Sequence, residues 1–193
     1  MNKATRNNKH SESGINLDTV KNGSGIVPVQ NLDNGKMVQA NDDESGIMLV
    51  PYNESYKQKV FVFTDKYFEE LGKKFEPDGR HDFYNNIGDN FVVFYCLIDQ
   101  DKLIGTVALK KLDENIVELK AMYLDRSYRG KGLGRRLMNK IADEAKRLGY
   151  KSLVLDSMSQ YKDALRLYER TGFQNTERYN ENLYADVFMK LEL

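Results

Sequence analysis

Arg129-Gly130-Lys131-Gly132-Leu133-Gly134 has the residue types and the spacing of an anion cradle. The stretch follows an apolar run, Ile116 to Leu124, and opens a helix-patterned segment, Leu133 to Leu148. Glycines let the backbone turn sharply, so that several N–H groups point at one spot. The helix N-terminus adds its partial positive charge there. Arg129, Lys131, Arg135 and Arg136 crowd the same helix start, where cations oppose the macrodipole. A bound polyphosphate would remove that conflict. A surface turn relieved of strain would use the same glycines, but the preceding strand and the basic cluster favour a ligand. Two familiar phosphate loops are excluded by spacing. The third glycine comes one residue early for G-x-G-x-x-G, and no G-x-x-x-x-G-K-[ST] run exists.

A second segment carries chemistry-bearing spacing. Leu153-Val154-Leu155-Asp156 reads as a short buried strand. Ser159 follows as an N-cap candidate, and Tyr161, Ala164, Leu165 and Tyr168 recur at helical spacing. Gly172 can take the left-handed position that ends that helix, and Phe173 begins the next strand. The pattern Arg129-x-x-Gly132-x-Gly134, after the strand Glu118-Leu119-Lys120-Ala121-Met122-Tyr123-Leu124, resembles the acetyl-CoA-binding motif of the GCN5-related N-acetyltransferases, the GNAT superfamily. The run from Ala164 to Phe173 is similar to that family's second CoA-side motif, A-x-x-x-Y-x-x-x-G-F, with Tyr161 where many members carry Asn. The resemblance covers Ile47 to Leu193, about three-quarters of the chain.

The resemblance implies an acetyl-CoA-dependent N-acetyltransferase that works by direct transfer in a ternary complex, with acetyl-CoA as co-substrate and no metal. The CoA contacts it implies are Met122, Tyr123 and Leu124 on the strand, then Arg129, Gly130, Lys131, Gly132, Leu133, Gly134 and Arg135. Acyl transfer to an amine needs a deprotonated amine, a stabilised oxyanion and a proton for the departing thiolate. Glu118 is a charged residue in an otherwise apolar strand, at the position of a strand glutamate that is the general base in some members. Burial among apolar neighbours would raise its pKa. The competing reading pairs Glu118 with Lys120, two residues on and on the same face. Tyr168 stands where the family places the tyrosine that faces the CoA sulfur, which makes it the candidate general acid. An ordinary core tyrosine would occupy the same amphipathic face. The backbone of Met122 to Leu124 would meet the pantetheine amides as an added strand.

The acceptor is an amine, a small molecule or a peptide. The segments expected around it offer Glu69, Glu70, Glu76, Asp78 and Asp82, together with Arg178-Tyr179-Asn180-Glu181-Asn182. Acidic side chains would favour a cationic amine, and a solvated charged face explains them as well. Arg178 is a candidate for holding an acceptor carboxylate. Two other classes compete with an enzyme: a catalytically silent acetyl-CoA-binding regulatory module, which has no need of both Glu118 and Tyr168, and a binder of another nucleotide phosphate.

The elements that must position these residues begin at Ile47. Residues 1–46 are rich in Asn, Ser, Gly, Asp and Lys without a sustained period, which predicts a disordered or loosely ordered tail before an acetyltransferase domain at 47–193. Ile47–Val50 reads as a strand, and Tyr56 to Leu71 as a helix ended by Gly72. Phe91–Ile98 and Leu103–Lys110 form a hairpin around Asp99-Gln100-Asp101-Lys102. Phe173–Arg178 and Ala185–Leu191 are the last strand pair. The expected fold is α/β: a GNAT-like mixed, mostly antiparallel sheet of about six to seven strands with helices on both faces. Lys+Arg and Asp+Glu number 29 each, so no net field favours nucleic acid or an anionic membrane. The single cysteine, Cys96, lies in an apolar run and reads as a core residue, and His10 and His81 make no metal spacing. The chain shows neither a membrane-length apolar run nor a signal-peptide core, which points to the cytoplasm; a homodimer is compatible with all of this.

Overall fold

The computed structural model describes residues 46–193. The tail expected over residues 1–46 therefore lies outside the described residues, Gly46 apart. Apolar periodicity and turn chemistry produce β1 (Ile47–Pro51), α1 (Lys57–Glu70), α2 (Ile87–Asn90), β2 (Val93–Asp99), β3 (Lys102–Lys111), β4 (Ile116–Leu124), α3 (Leu133–Arg147), β5 (Ser152–Ser157), α4 (Lys162–Thr171), β6 (Gln174–Asn175) and β7 (Val187–Glu192). The strands form one seven-stranded sheet in the order β1-β2-β3-β4-β5-β7-β6. Every neighbouring pair is antiparallel except β4 and β5. This is the mixed sheet the sequence leads one to expect, with helices on both faces.

The faces are separated by side-chain alternation along the central strands. Leu97, Val107 and Leu109 join Leu133, Leu137, Met138 and Ile141 of α3 in one cluster. Phe94, Cys96 and Ala108 join Val60, Phe63 and Phe68 of α1, with Tyr84, in the other. The buried positions of α3 recur at helical spacing, and its last turn carries Lys146 and Arg147, which suit the negative end of the dipole. Gly172, at φ 102°, ends α4 in the left-handed region as expected.

Three local expectations are corrected. Ser159 does not cap α4. Tyr161 precedes that helix, while the Ser159 backbone N–H and hydroxyl both donate to Asp186, at 2.6 Å each. The last strand pair is shorter than expected, since β6 holds only Gln174–Asn175 and β7 starts at Val187. Residues 176–186 form a loop instead, because Arg178 donates to the carbonyls of Asn182 and Ala185 and so folds the segment back on itself. The hairpin turn narrows to Gln100 and Asp101, with Gln100 at φ 53°.

β4 and β5 pair only over Ile116, Val117 and Glu118, opposite Ser152, Leu153 and Val154. Beyond that point β4 stays on β3 alone, and a gap opens between the two parallel strands. The β3–β4 register shifts between Thr106 and Ala108. The bulge falls at Ala121, which takes φ 50°, an unusual conformation for a residue with a side chain. The buried Thr106 hydroxyl donates to the Ala121 carbonyl at 2.7 Å and holds the bulge in place.

Candidate functional site

The bulge decides where the backbone of β4 points. The Ala121 carbonyl is turned toward β3, and a trans peptide directs its N–H the opposite way, so the Met122 N–H faces the gap. The Tyr123 carbonyl lies against Gly105 on β3, where an added Cβ would meet it at 3.0 Å. By the same reasoning the Leu124 N–H faces the gap as well. Two amides on one strand thus lack a strand partner where β5 has moved away, an edge an extended ligand can join. The Leu124 carbonyl, on the same edge, accepts from Arg129 Nε at 3.1 Å, which ties the glycine-rich turn to the end of the strand.

The turn itself is open. Gly130 and Gly132 sit at φ 77° and 81°, and a Cβ added at either would meet nothing within 4 Å. Gly132 is the residue before α3 and offers no side-chain cap, so the first amides of the helix remain available. Arg129, Lys131 and Arg135 are exposed around it, with Lys131 lying over the Tyr128 ring at 5.1 Å. Arg136 turns elsewhere and donates to the Ile47 carbonyl. Leu133 is a buried core residue, so it anchors the turn. Gly134 differs from the other two: it lies inside α3, and an added Cβ would meet Leu167 Cδ2 of α4 at 3.3 Å. An open, basic, glycine-lined helix start fits a pyrophosphate.

Glu118 lies at the root of the gap, 4% exposed. Its surroundings are polar, not apolar as expected. Oε1 accepts from the Tyr179 hydroxyl at 2.8 Å and Asn180 Nδ2 at 3.1 Å, and lies 3.0 Å from Lys120 Nζ. Oε2 takes no partner among the described residues. Lys120 also reaches Asp156 Oδ1 at 3.2 Å, while Asn180 and Asn182 donate to Asp156 Oδ2 at 2.8 and 2.9 Å. Burial pushes the Asp156 carboxyl up, but Lys120 and the amides of Asn182 and Asn180 outweigh it and hold it below the ordinary aspartate value. Burial and the Glu118 charge push the Tyr179 hydroxyl far above the phenol range, so it stays a donor. The ion pair with Lys120 therefore exists, and it is one part of a wider network.

Tyr168 is buried on the α3 face, its ring 6.0 Å from that of Phe173. Burial, then the neighbouring Tyr67 and Asp156, pushes its hydroxyl well above the phenol range. Tyr67 of α1 stacks on Tyr123 of β4, with ring centroids 4.2 Å apart, so one wall of the gap is aromatic. Glu118, Asp156 and Tyr168 thus gather near the point where β4 and β5 part. Tyr179, Asn180 and Asn182 lie in the run that the sequence placed around the acceptor, and the structure brings them to the Glu118 and Asp156 carboxylates. Asp156 and Tyr67 were not singled out as site residues by sequence reasoning. Asp156 carried a usable signal: like Glu118, it is a charge in an apolar strand.

Other candidates do not converge on this point. Glu69, Glu70, Asp78 and Asp82 are exposed, and Glu76 pairs with Arg80 at 2.7 Å. Arg178 is committed to two carbonyls and to the Phe188 ring at 4.5 Å, so it braces its loop and is not free for a carboxylate. Cys96 is buried, and burial pushes its thiol up to about 12, as suits a core residue. Nδ1 of His81 accepts from the Glu76 N–H, with the ring packed on Phe68 and Phe75. Among the described residues no group of His, Cys, Asp and Glu could hold a metal ion, and no helix is long and apolar enough to cross a membrane.

Residues 59–173 match the model of the acetyltransferase (GNAT) family. An uncharacterized N-acetyltransferase of Bacillus subtilis, YsnE, is 36% identical over 90 residues, which span 46% of this chain and 60% of that protein. A GNAT-family acetyltransferase from Staphylococcus aureus Mu50 superposes with a TM-score of 0.69 at 24% identity, covering 76% of this chain and 98% of that one. A GNAT-family acetyltransferase from Elizabethkingia anophelis, solved with acetyl-CoA bound, gives 0.54 at 18% identity, covering 77% and 99%.

Proposed function

This chain belongs to the acetyltransferase (GNAT) family, and on that premise we propose that it moves the acetyl group of acetyl-CoA directly to an amine, both substrates being bound together. The observation that carries the reading is the gap itself. Two amides, of Met122 and Leu124, face it beside an open basic turn. Arg129, Lys131, Arg135 and the amides after Gly130 would hold the pyrophosphate. The Met122–Leu124 edge, with Tyr123 on the aromatic wall behind it, would align the pantetheine. Acetyl-CoA brings the activated acyl group, and the chain's own groups do the rest.

The amine must arrive neutral. Glu118 Oε2, left without a partner while Oε1 is saturated, is the atom we assign to accept that proton, through a water. An amide of the gap stabilises the negative charge that develops on the thioester oxygen as the amine adds. Tyr168 then gives its proton to the departing thiolate. Its raised pKa suits this task, because the hydroxyl is protonated at neutral pH. The proton taken up at Glu118 balances the one given by Tyr168 once both exchange with solvent.

The test is a mass-spectrometric screen of an amine panel with acetyl-CoA, alongside calorimetry of acetyl-CoA itself. Acetylated product with release of CoA is expected. Tight binding without turnover of any amine would favour a silent binding module, and ATP or NAD displacing CoA would favour another nucleotide ligand.

A further inference from the structure

Lys73, in the segment between α1 and α2, is a half-buried lysine without a carboxylate. Its ammonium rests 3.2 Å from Met158 Sδ and lies over the rings of Tyr161 and Tyr184, at 5.7 and 5.9 Å. No oxygen accepts from it among the described residues. Most other lysines of similar exposure are satisfied: Lys120 by Glu118 and Asp156, Lys140 by Glu144, Lys190 by Glu192, Lys57 by the Asn85 carbonyl; Lys110, over the Phe83 ring at 5.5 Å, is the exception. Beside it, the buried Tyr161 hydroxyl has no hydrogen-bond partner. Unpaired buried hydroxyls are costly, and an ammonium against a thioether is poorly served. A lysine donating only to a thioether, beside a hydroxyl without a partner, describes the complement of an anion.

Their place in the fold says which anion. Met158 follows β5 two residues after Asp156, and Tyr184 follows Asn182 in the loop that supplies Tyr179 and Asn180 to the Glu118 network. Tyr161 precedes α4, the helix that carries Tyr168. The donors thus sit beside the amine end of the reaction. That end sets two carboxylates, Glu118 and Asp156, against a single lysine, Lys120. One end favours a cation, and the other lacks a single negative charge.

We propose that Lys73, with the Tyr161 hydroxyl, receives a carboxylate carried by the acceptor, so that the substrate is an amino-acid-like small molecule bearing both amine and carboxylate. The assignment rests on the acetyltransferase reading above and deepens it. It gives Lys73 the role that the sequence suggested for Arg178, whose guanidinium is taken up by its own loop.

The experiment compares N-acetyl amino acids with their C-terminal amides as product ligands, by calorimetry of the full chain in the presence of CoA. Acetylation rates of the parent amino acids and amino-acid amides are measured in parallel. The wild-type protein should bind the carboxylate form about tenfold more tightly, the scale of one charge-assisted hydrogen bond. Lys73→Met should bring that ratio close to one, Lys73→Arg should keep most of it, and Tyr161→Phe should lower it in part. In turnover the Lys73→Met loss should appear in KM more than in kcat. Equal binding of acids and amides by the wild type, or a preference untouched by Lys73→Met, overturns the assignment. The ligand comparison needs no turnover, so failure of the acetyltransferase reading would show separately, as no amine being acetylated.

Discussion

On the α3 face the buried side chains are largely aliphatic: Val107, Leu119, Leu133, Leu137, Met138, Ile141, Leu153 and Leu155, with Tyr168 and Phe173 as the aromatic members. On the α1 face Phe63, Phe68, Phe75, Tyr84, Phe91 and Phe94 dominate, and the Glu118–Lys120–Asp156 network adjoins them from β4 and β5. The aliphatic side supports backbone: the turn at Gly130 and Gly132, the helix start and the amide edge of β4. Any well-packed apolar set can hold such groups in place. The aromatic side presents particular side chains, in which each polar atom depends on its neighbours. Substitutions should therefore act locally and through backbone geometry on the first side, and in coupled fashion on the second.

The largest effect expected anywhere in the molecule is from Tyr168→Phe, which removes one hydroxyl and little volume. kcat should fall by roughly 10²–10⁴ while acetyl-CoA affinity stays close to that of the parent. A variant with wild-type kcat, in an assay where chemistry limits the rate, would return Tyr168 to the ordinary packing of its face. Next comes Lys120→Met. It leaves Glu118 and Asp156 facing each other without their shared cation, and since Lys120 is 28% exposed the loss should be about 2 kcal/mol in urea unfolding. A stability unchanged within error would show that the network is not coupled.

Gly132→Val probes the backbone side. A β-branched residue at φ 81° is strained, and the turn must open or distort, so acetyl-CoA affinity should drop about tenfold or more in a folded protein. Undiminished calorimetric affinity would remove the phosphates from this turn. A pH series sharpens the other side. The Asp156 carboxyl is held low in the folded protein, so its contribution is complete above the ordinary aspartate value of about 3.9 and is lost as pH falls through the folded pKa. The stability gap between wild type and Asp156→Asn should be widest near neutrality and close below about pH 4. A gap that widens in acid would contradict that order. The smallest effect concerns residues 1–46, which we propose are dispensable: a chain starting near Ser45 should keep its fold by circular dichroism and its kcat. Lost turnover in a folded truncation would put the tail in the mechanism.

The same division governs what could be read from sequence. β4 spans Ile116–Leu124 as expected, and α3 opens at Leu133, because an apolar run and a helical period are local signals. The glycine turn is local too. The Glu118 network is not: Tyr179 lies 61 residues from Glu118, and Asn180 lies 24 from Asp156. Only the sheet order, which sets β7 and its preceding loop beside β5, brings these side chains together. Glu118 and Lys120 could be matched because their spacing is local and same-faced. The roles of Ser159 and Arg178 were misjudged for the converse reason, since their partners in the 182–186 segment satisfy them in ways no spacing rule anticipates.

The contact between Gly134 and Leu167 has a mechanical consequence. Gly134 sits two residues after Gly132, in the first turn of the helix that would feel the pyrophosphate, while Leu167 is the residue before Tyr168. With only hydrogen on one side of the contact, α3 and α4 mesh without slack, like gear teeth cut for each other. A methyl group at position 134 would meet Leu167 Cδ2 at 3.3 Å, so Leu167 must give by a few tenths of an ångström beside the residue that carries the phenol. Placement errors on that scale matter to proton transfer. The turn proposed to grip the phosphates and the tyrosine proposed as proton donor are thus linked through the packing of α3 on α4.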